Sequence, residues 1–216
     1  MIPLALHPLR LRLGLVGAGA PALRRLRGLR AAGAGDTLSV FTTDPALAAQ
    51  AGDGTVLRLP EEAEISALNL LWVAGLEEAL YRPLADQARA HKVLLNIEDV
   101  PEFCDFNAVA EVRRGDLLLT VSTNGQAPGL ASAIRKRLEA CFPESWAARV
   151  RHIATLRQGW RQNSIPMAES ARRIEALLAE NCWLSCPSAL RDPVDSPTLQ
   201  KNLEPPKAPN QLQSST

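Results

Sequence analysis

The chain has 216 residues, of which 46% are hydrophobic and 22% charged, a globular composition with length for one full domain and a smaller one. A formal net charge of +1 and 4% aromatic residues offer neither the basic footprint nor the stacking platforms of nucleic-acid binding. Apolar runs such as 68–75 fall well short of the roughly 20 residues a membrane helix needs, so neither nucleic acid nor membrane is an expected partner.

Charge is unevenly spread. Residues 1–60 carry a net +4, residues 61–110 a net −7 and residues 128–180 a net +4. That pattern suits either a set of solvated faces or an anion-binding cleft facing an acidic region. Four cysteines are scattered without a secreted-scaffold spacing, and Arg10 and Arg12 interrupt the first apolar stretch. The expectation is a cytoplasmic protein with reduced thiols and no signal peptide. Cys182 and Cys186 lack a second ligand pair, and His7, His91 and His152 stand alone, so no metal site is expected.

In chain order, Leu11–Val16 reads as a strand that turns apolar as it enters a sheet. Glycines follow, and then Leu23, Leu26 and Leu29 recur at helical spacing until Gly33 and Gly35. Thr37–Thr42 is a second strand, so the opening is a βαβ unit with a right-handed crossover. Val56–Leu59 reads as a short strand, Leu68–Ala74 as a buried one, Glu77–Ala90 as a helix, and Val93–Ile97 and Leu117–Ser122 as further strands. This alternation implies a parallel α/β sheet with helices on both faces. From Pro128 onward helices take over, at 128–141, 145–160 and 166–182. The second carries Trp146, Val150, Ile153, Leu156 and Trp160 on one face. The proline-rich residues 187–216 read as a disordered tail.

The turn Gly17-Ala18-Gly19-Ala20-Pro21-Ala22 fits the dinucleotide fingerprint G-x-G-x-x-G/A. Gly17 allows the tight strand-to-helix turn, Gly19 lets a pyrophosphate approach the backbone, and Ala22 is small where helix meets strand. Pro21 falls where a missing N–H costs nothing. The alternative is a glycine turn with no ligand. The acidic residue that usually ends the second strand is absent; Phe41-Thr42-Thr43 stands there, with Asp44 slightly late. Gly17, Ala18, Gly19, Ala20 and Pro21, with the hydroxyls of Thr42 and Thr43, are the cofactor-side candidates.

Asn96-Ile97-Glu98-Asp99-Val100-Pro101 ends a buried strand. Ligands of open α/β sheets bind outside the carboxyl ends of strands, so Asp99 is a candidate general base; otherwise it is a turn residue. Ser122, Thr123, Asn124 and Gly125 lead into the helix at Pro128, an exposed helix start suited to a carboxylate or phosphate, or else an ordinary connection. Arg113 and Arg114 are either part of a turn or clamps for substrate carboxylates.

Taken together, residues 96–139 (NIEDVPEFCDFNAVAEVRRGDLLLTVSTNGQAPGLASAIRKRLE) resemble the siroheme synthase family, in its precorrin-2 dehydrogenase and sirohydrochlorin ferrochelatase portion. That family runs N-x-x-D-x-P-x-x-C-D-F, R-R-G-x-L and S-T-x-G-x-S-P-x-L-A, and its V-G-G-G-x-V-A-x-R-K turn corresponds to Val16–Arg25. The resemblance covers roughly residues 10–180. It implies a Rossmann-type parallel sheet over 1–112, a dimerisation and substrate segment over 113–143, a small helical domain over 144–186 and the tail over 187–216. It implies NAD-dependent oxidation of precorrin-2 to sirohydrochlorin, with the active-site aspartate at Asp99. It also implies Arg113, Arg114, Ser122, Thr123, Asn124 and Gly125 on the substrate side, and a homodimer. Insertion of Fe2+ as co-substrate, or a non-catalytic tetrapyrrole- or nucleotide-binding role, are the alternatives. The sequence departs from the family at Ala18, at Ala74-Gly75-Leu76-Glu77 in place of a Thr-Asp pair, at Val109 and at Ala127.

Overall fold

The apolar run after Arg12 becomes β1 (Leu13–Gly17), all five residues of which are buried. A second fully buried strand, β3 (Leu70–Ala74), lies beside it. The shorter β2 (Leu38–Phe41) and β4 (Leu94–Ile97) take the two edges. The order is β2-β1-β3-β4 and every pairing is parallel. Strands buried on both faces read as continuous apolar runs, which is why β1 and β3 are the easiest to find in the sequence. The computed structural model describes residues 2–185. The expectation for 187–216 lies outside the described residues.

Alternation along each strand sorts the core into two layers. Leu13, Leu15, Val40, Leu70, Trp72 and Ala74 pack with Ala22, Leu26 and Leu47 from α1 (Gly19–Ala31) and α2 (Pro45–Ala51). Val16, Phe41, Leu71, Val73, Leu95 and Ile97 pack with Ile65 of α3 (Glu62–Ser66) and Leu84, Ala85 and Ala88 of α4 (Glu78–Ala90). Helices therefore cover both faces. The order reverses between β1 and β3, which makes their carboxyl ends the crevice of the sheet.

Two short helices escape the sequence reading. Asp44 caps α2 by accepting a hydrogen bond from Ala46 N, with Pro45 at its first turn. In α3, Glu61 and Glu64 form a capping box. Both helices are too short for a periodic signal.

The expected strand at 56–59 is reduced to one bridge, between Phe41 and Val56. After Val56 the chain turns outward: Leu57 is 70% exposed and Arg58 forms a bidentate pair with Glu64. The strand expected at 117–122 also lies elsewhere. β6 (Leu117–Val121) pairs with β5 (Ala110–Arg114) in a separate two-stranded sheet. The connection is only Gly115-Asp116, too short for a parallel crossover, and Gly115 has φ +59°.

The described residues divide into two units, residues 2–110 with 122–128, and residues 111–121 with 129–185. The second unit holds the β5–β6 sheet and α5 (Pro128–Cys141), α6 (Trp146–Gln162) and α7 (Met167–Glu180). Trp146 anchors it, packing on Phe142 and Trp183 with ring centroids 5.1 and 6.4 Å away. Arg149 lies over both indoles. Among the described residues, Cys104 and Cys182 are free thiols. Among the described residues no helix is long and apolar enough to cross a membrane.

The edge strand β4 is protected by the chain that follows it. Asp105 N donates to Leu95 O (2.8 Å) and Asp105 Oδ2 accepts from Leu95 N (2.9 Å). Asn96 Nδ2 donates to Phe106 O (2.9 Å), and Phe106 meets Trp72 edge-on. Open strand edges invite pairing with other chains, and residues 104–106 close this one. Asp105→Ala should cost about 1–3 kcal/mol in urea unfolding, the scale of a hydrogen bond to a charged group. Hydrogen exchange at the Leu95 amide should accelerate in the same variant. An unchanged Leu95 exchange rate would show that the strap does not hold the edge.

Candidate functional site

At the carboxyl edge of the sheet, β1 runs into α1 through the glycine turn. A β-carbon on Gly17 would lie 2.1 Å from Ala74 O and 2.9 Å from the Ala22 side chain. Gly17 therefore lets β1, β3 and α1 meet. Gly19 differs. Its φ is +66°, a left-handed conformation suited to glycine, and nothing approaches its missing β-carbon nearer than Pro21 Cδ at 3.7 Å. The space at the β-carbon position of Gly19 is therefore open, which lets a ligand approach the backbone on that side, while its N–H is taken by Asp44. Ala18 has φ −149°, an extended conformation open to any residue.

The β3–α4 loop closes against this turn. Gly75 has φ +70°, and a β-carbon there would lie 2.2 Å from Ala18 O. Ala18 N donates back to Ala74 O (3.1 Å). The absent side chains at 17 and 75 thus allow two backbones to touch at the crevice.

On the β2 side, Thr42 is buried and its hydroxyl donates to Gly17 O (2.7 Å) while accepting from Asp44 N (2.9 Å). Asp44 Oδ2 accepts from Gly19 N (2.7 Å). The backbone N–H groups of Gly19 and Ala46 hold the Asp44 carboxyl below the usual aspartate range. Thr43 is exposed next to it. Of the cofactor-side candidates, Gly17, Ala18, Gly19, Ala20, Pro21, Thr42 and Thr43 come together at this edge. Asp44 joins them as the carboxylate the sequence reading placed too late.

On the β4 side, Glu98 N donates to Val73 O (2.9 Å), extending the ladder by one residue. The chain then turns, with Val100 N bonding to Ile97 O (3.3 Å) and Asp99 at φ +64°. Aspartate is among the few side chains that tolerate this conformation. Asp99 is exposed. Glu98 is not: its side chain is 21% exposed, Oε1 pairs with Arg24 (3.2 Å), and Oε2 is buried with no protein partner. Arg25 stands beside it, its guanidinium pushed down by burial and drawn up again by Glu98. Sequence reasoning singled out Asp99 and missed the Arg24–Glu98 pair, because the two residues are 74 positions apart. Cys104 Sγ accepts from Ile97 N (3.3 Å) beneath the same turn, and burial raises its thiol pKa. Asn96, Cys104 and Asp105 thus pin the loop that carries Glu98 and Asp99.

Asn124 (φ +53°) and Gly125 (φ +73°) are consecutive left-handed residues in the exposed loop after β6. Asn124 N donates to Ser122 Oγ (3.3 Å) and Ala127 N to Thr123 Oγ1 (3.2 Å). Arg113 and Arg114 belong to the second unit. Arg114 is pinned, its Nε donating to Phe142 O (2.7 Å) and Nη1 pairing with Glu144 (3.1 Å). Arg113 pairs with Glu111 (2.9 Å), and its Nε is buried without a partner.

Comparison with known proteins fits this geometry. A family described as NAD(P)-binding matches residues 4–110, and one described as the sirohaem biosynthesis protein central region matches residues 114–140. Siroheme synthase of Methylococcus capsulatus is 32% identical over 161 residues, 73% of this chain and 34% of that protein. Siroheme synthase of Thioalkalivibrio sulfidiphilus is 31% identical over 196 residues, 88% of this chain and 39% of that protein. The chain belongs to the siroheme synthase family. It spans about a third of the length of these relatives. Among solved structures it shares the fold of SirC, a precorrin-2 dehydrogenase, with a TM-score of 0.67 at 19% identity, covering 86% of this chain and 93% of that one.

Within the siroheme synthase family, the departures gain physical meaning. Ala18 in place of the middle glycine is strain-free, since its backbone is extended. Gly75, where the family pattern has a Thr-Asp pair, is packed against Ala18 O. Gly75→Ala should therefore destabilise the protein by roughly 3 kcal/mol or more, because overpacking against backbone adds to a strained φ. Thermal unfolding that matched the parent chain would show that the loop does not rest on the turn.

Proposed function

We propose that the chain is an NAD-dependent precorrin-2 dehydrogenase of siroheme biosynthesis, acting in the cytoplasm and producing sirohydrochlorin. The observation that carries this reading is the glycine turn: Gly19 is left-handed, with open space at its β-carbon position, at the start of α1 and on the edge that also bears Glu98 and Asp99. Membership of the siroheme synthase family supports the substrate class. The turn fits a dinucleotide, because Gly17 is filled by neighbouring backbone whereas the β-carbon position of Gly19 is open. Gly17, Ala18, Gly19, Ala20 and Pro21 would hold its pyrophosphate, with Thr42 fixing the turn from beneath and Thr43 exposed beside it. When bound, the cofactor supplies the hydride acceptor.

Oxidation of precorrin-2 removes a hydride and a proton from the macrocycle. In this reading Asp99 takes the proton. Its exposure lets it return the proton to water, and the turn from Ile97 to Val100 fixes its backbone. Arg113, with an unpaired buried Nε, is assigned to a substrate carboxylate. Arg114 holds the chain beside it, and Ser122, Thr123, Asn124 and Gly125 offer small polar groups in an exposed loop. Residues 113–143 are assigned to dimerisation and substrate contact, and 144–186 to a helical domain. Leu130 and Ile134, one turn apart on α5, are 55% and 38% exposed, which supports a homodimer through this helix. Light scattering at micromolar concentration should give twice the chain mass, and Leu130→Glu with Ile134→Glu should halve it. A monomer in the parent chain would reject the dimer.

Under anaerobic conditions, precorrin-2 with NAD+ should yield the sirohydrochlorin spectrum. Product formed only when Fe2+ and ready-made sirohydrochlorin are supplied would instead favour a chelatase. Asp99→Asn should lower dehydrogenase turnover about 10²–10⁴-fold, the scale of a positioned acid–base group, with little change in NAD+ affinity. Glu98→Gln should be milder in turnover, since Glu98 is already paired with Arg24. If Asp99→Asn stays active while Glu98→Gln is crippled, the base is Glu98; if both stay active, the carboxylate mechanism is wrong.

A further inference from the structure

One ion pair bridges the crevice. Arg24, on the second turn of α1, donates from Nη2 to Glu98 Oε1 at 3.2 Å. Helix α1 follows β1, and Glu98 follows β4. Strand β3 lies between those two strands, so the bridge spans β3 near its carboxyl end, where Ala74 and Gly75 meet the glycine turn. Asp99 is the next residue after Glu98.

The two partners are built differently. Glu98 is a fixed anion. Its backbone N–H is bound to Val73 O, its side chain is largely buried, and the half-buried Arg25 is drawn to the same carboxylate. Arg24 is 63% exposed, and among the described residues its guanidinium bonds to Glu98 through Nη2. A guanidinium carries five N–H donors in a planar fork. The donors on Nε and Nη1 are therefore left for another group. An exposed pair of this kind contributes little to stability, but it restricts a long side chain that otherwise samples many rotamers. Arg24 is thus a cation tethered at one end, on the rim of the crevice, beside the turn that carries Asp99.

We propose that Arg24 is the binding site for one carboxylate on the rim of the tetrapyrrole, and that Glu98 is the positioning residue that aims it. The free side of the fork takes the carboxylate, and the edge of the macrocycle is thereby set beside Asp99. The inference rests on the precorrin-2 reading above and adds to it a substrate anchor in the first unit. It also gives Glu98 a role separate from that of the base. Arg24 lies beyond the first turn of α1, whose N–H groups face a pyrophosphate, so dinucleotide affinity should not depend on it.

Anaerobic steady-state kinetics of the full chain, with precorrin-2 varied at saturating NAD+, test this. Arg24→Gln should raise KM for precorrin-2 about 10–100-fold, the scale of a hydrogen-bonded charge pair, with kcat and NAD+ affinity little changed. Arg24→Lys keeps the charge without the fork and should fall between. Glu98→Gln should raise the same KM roughly 3–10-fold, the scale of leaving one long side chain unfixed. In the double variant KM should be no worse than in Arg24→Gln, because Glu98 acts through Arg24. Arg10, which precedes β1 at the opposite edge of the sheet, is the control, and Arg10→Gln should leave KM unchanged. An unchanged KM in Arg24→Gln overturns the proposal, and so does an equal rise in Arg10→Gln, which would report only the general field of the chain. Loss of NAD+ affinity in Arg24→Gln overturns it in favour of a phosphate ligand. A lowered Tm with kcat, KM and NAD+ affinity all impaired overturns it in favour of a structural tie. Equilibrium titration with sirohydrochlorin, read by its absorbance, separates the anchor from the reaction. A Kd weakened by a similar factor in Arg24→Gln supports the anchor whether or not the parent chain turns over, and an equal Kd, or no binding by the parent, overturns it. A parent chain that binds sirohydrochlorin but does not oxidise precorrin-2 overturns the dehydrogenase reading alone.

Discussion

The carboxyl ends of β1 and β3 touch backbone to backbone, and the rest of the site depends on that contact. No side chain fits between them: a β-carbon at Gly17 would meet Ala74 O, and one at Gly75 would meet Ala18 O. Ala18 N bonds across the gap to Ala74 O. This contact sets where α1 begins and so where its amino end faces. The Gly17 carbonyl receives the Thr42 hydroxyl, which in turn holds Asp44. Val73, one residue before the contact, receives Glu98 N. Residues from four strands are thus referenced to a single close approach.

The edge built on this contact carries two kinds of carboxylate. Asp44 is bound by backbone N–H groups, which favour its charged form. Glu98 is held by Arg24, with one oxygen buried and unpartnered, and Asp99 beside it is exposed on a left-handed turn. The Arg24–Glu98 pair adds little stability, because exposed ion pairs contribute little, whereas Asp44 also caps α2. The short backbone bonds to Asp44 leave its carboxylate little freedom to move from the crevice.

The motif richest in family-specific residues is largely structural. Asn96, Cys104 and Asp105 spend their polar groups on β4 and the chain around it. They protect a sheet edge and brace the turn that presents Glu98 and Asp99. A sequence motif can therefore mark a loop through the residues that brace it.

By itself, the sequence determined the parallel α/β core, because strands buried on both faces leave continuous apolar runs at 13–17 and 70–74 and the helices between them keep a helical period. It determined the glycine turn, since only small residues permit it, and the family, since residues 96–139 combine several spaced motifs. The tertiary structure alone decided the partners of the edge. Short helices such as α2 and α3 are fixed by caps rather than periodicity, so Asp44 looked misplaced until its bond to Gly19 was seen. The segment at 117–121 has the composition of a sheet strand, but its two-residue link to 110–114 commits it to a separate pair. The Arg24–Glu98 pair and the contact of Gly75 with Ala18 join residues far apart in the chain. Such contacts leave no local period or spacing, and only the folded backbone brings them within bonding distance.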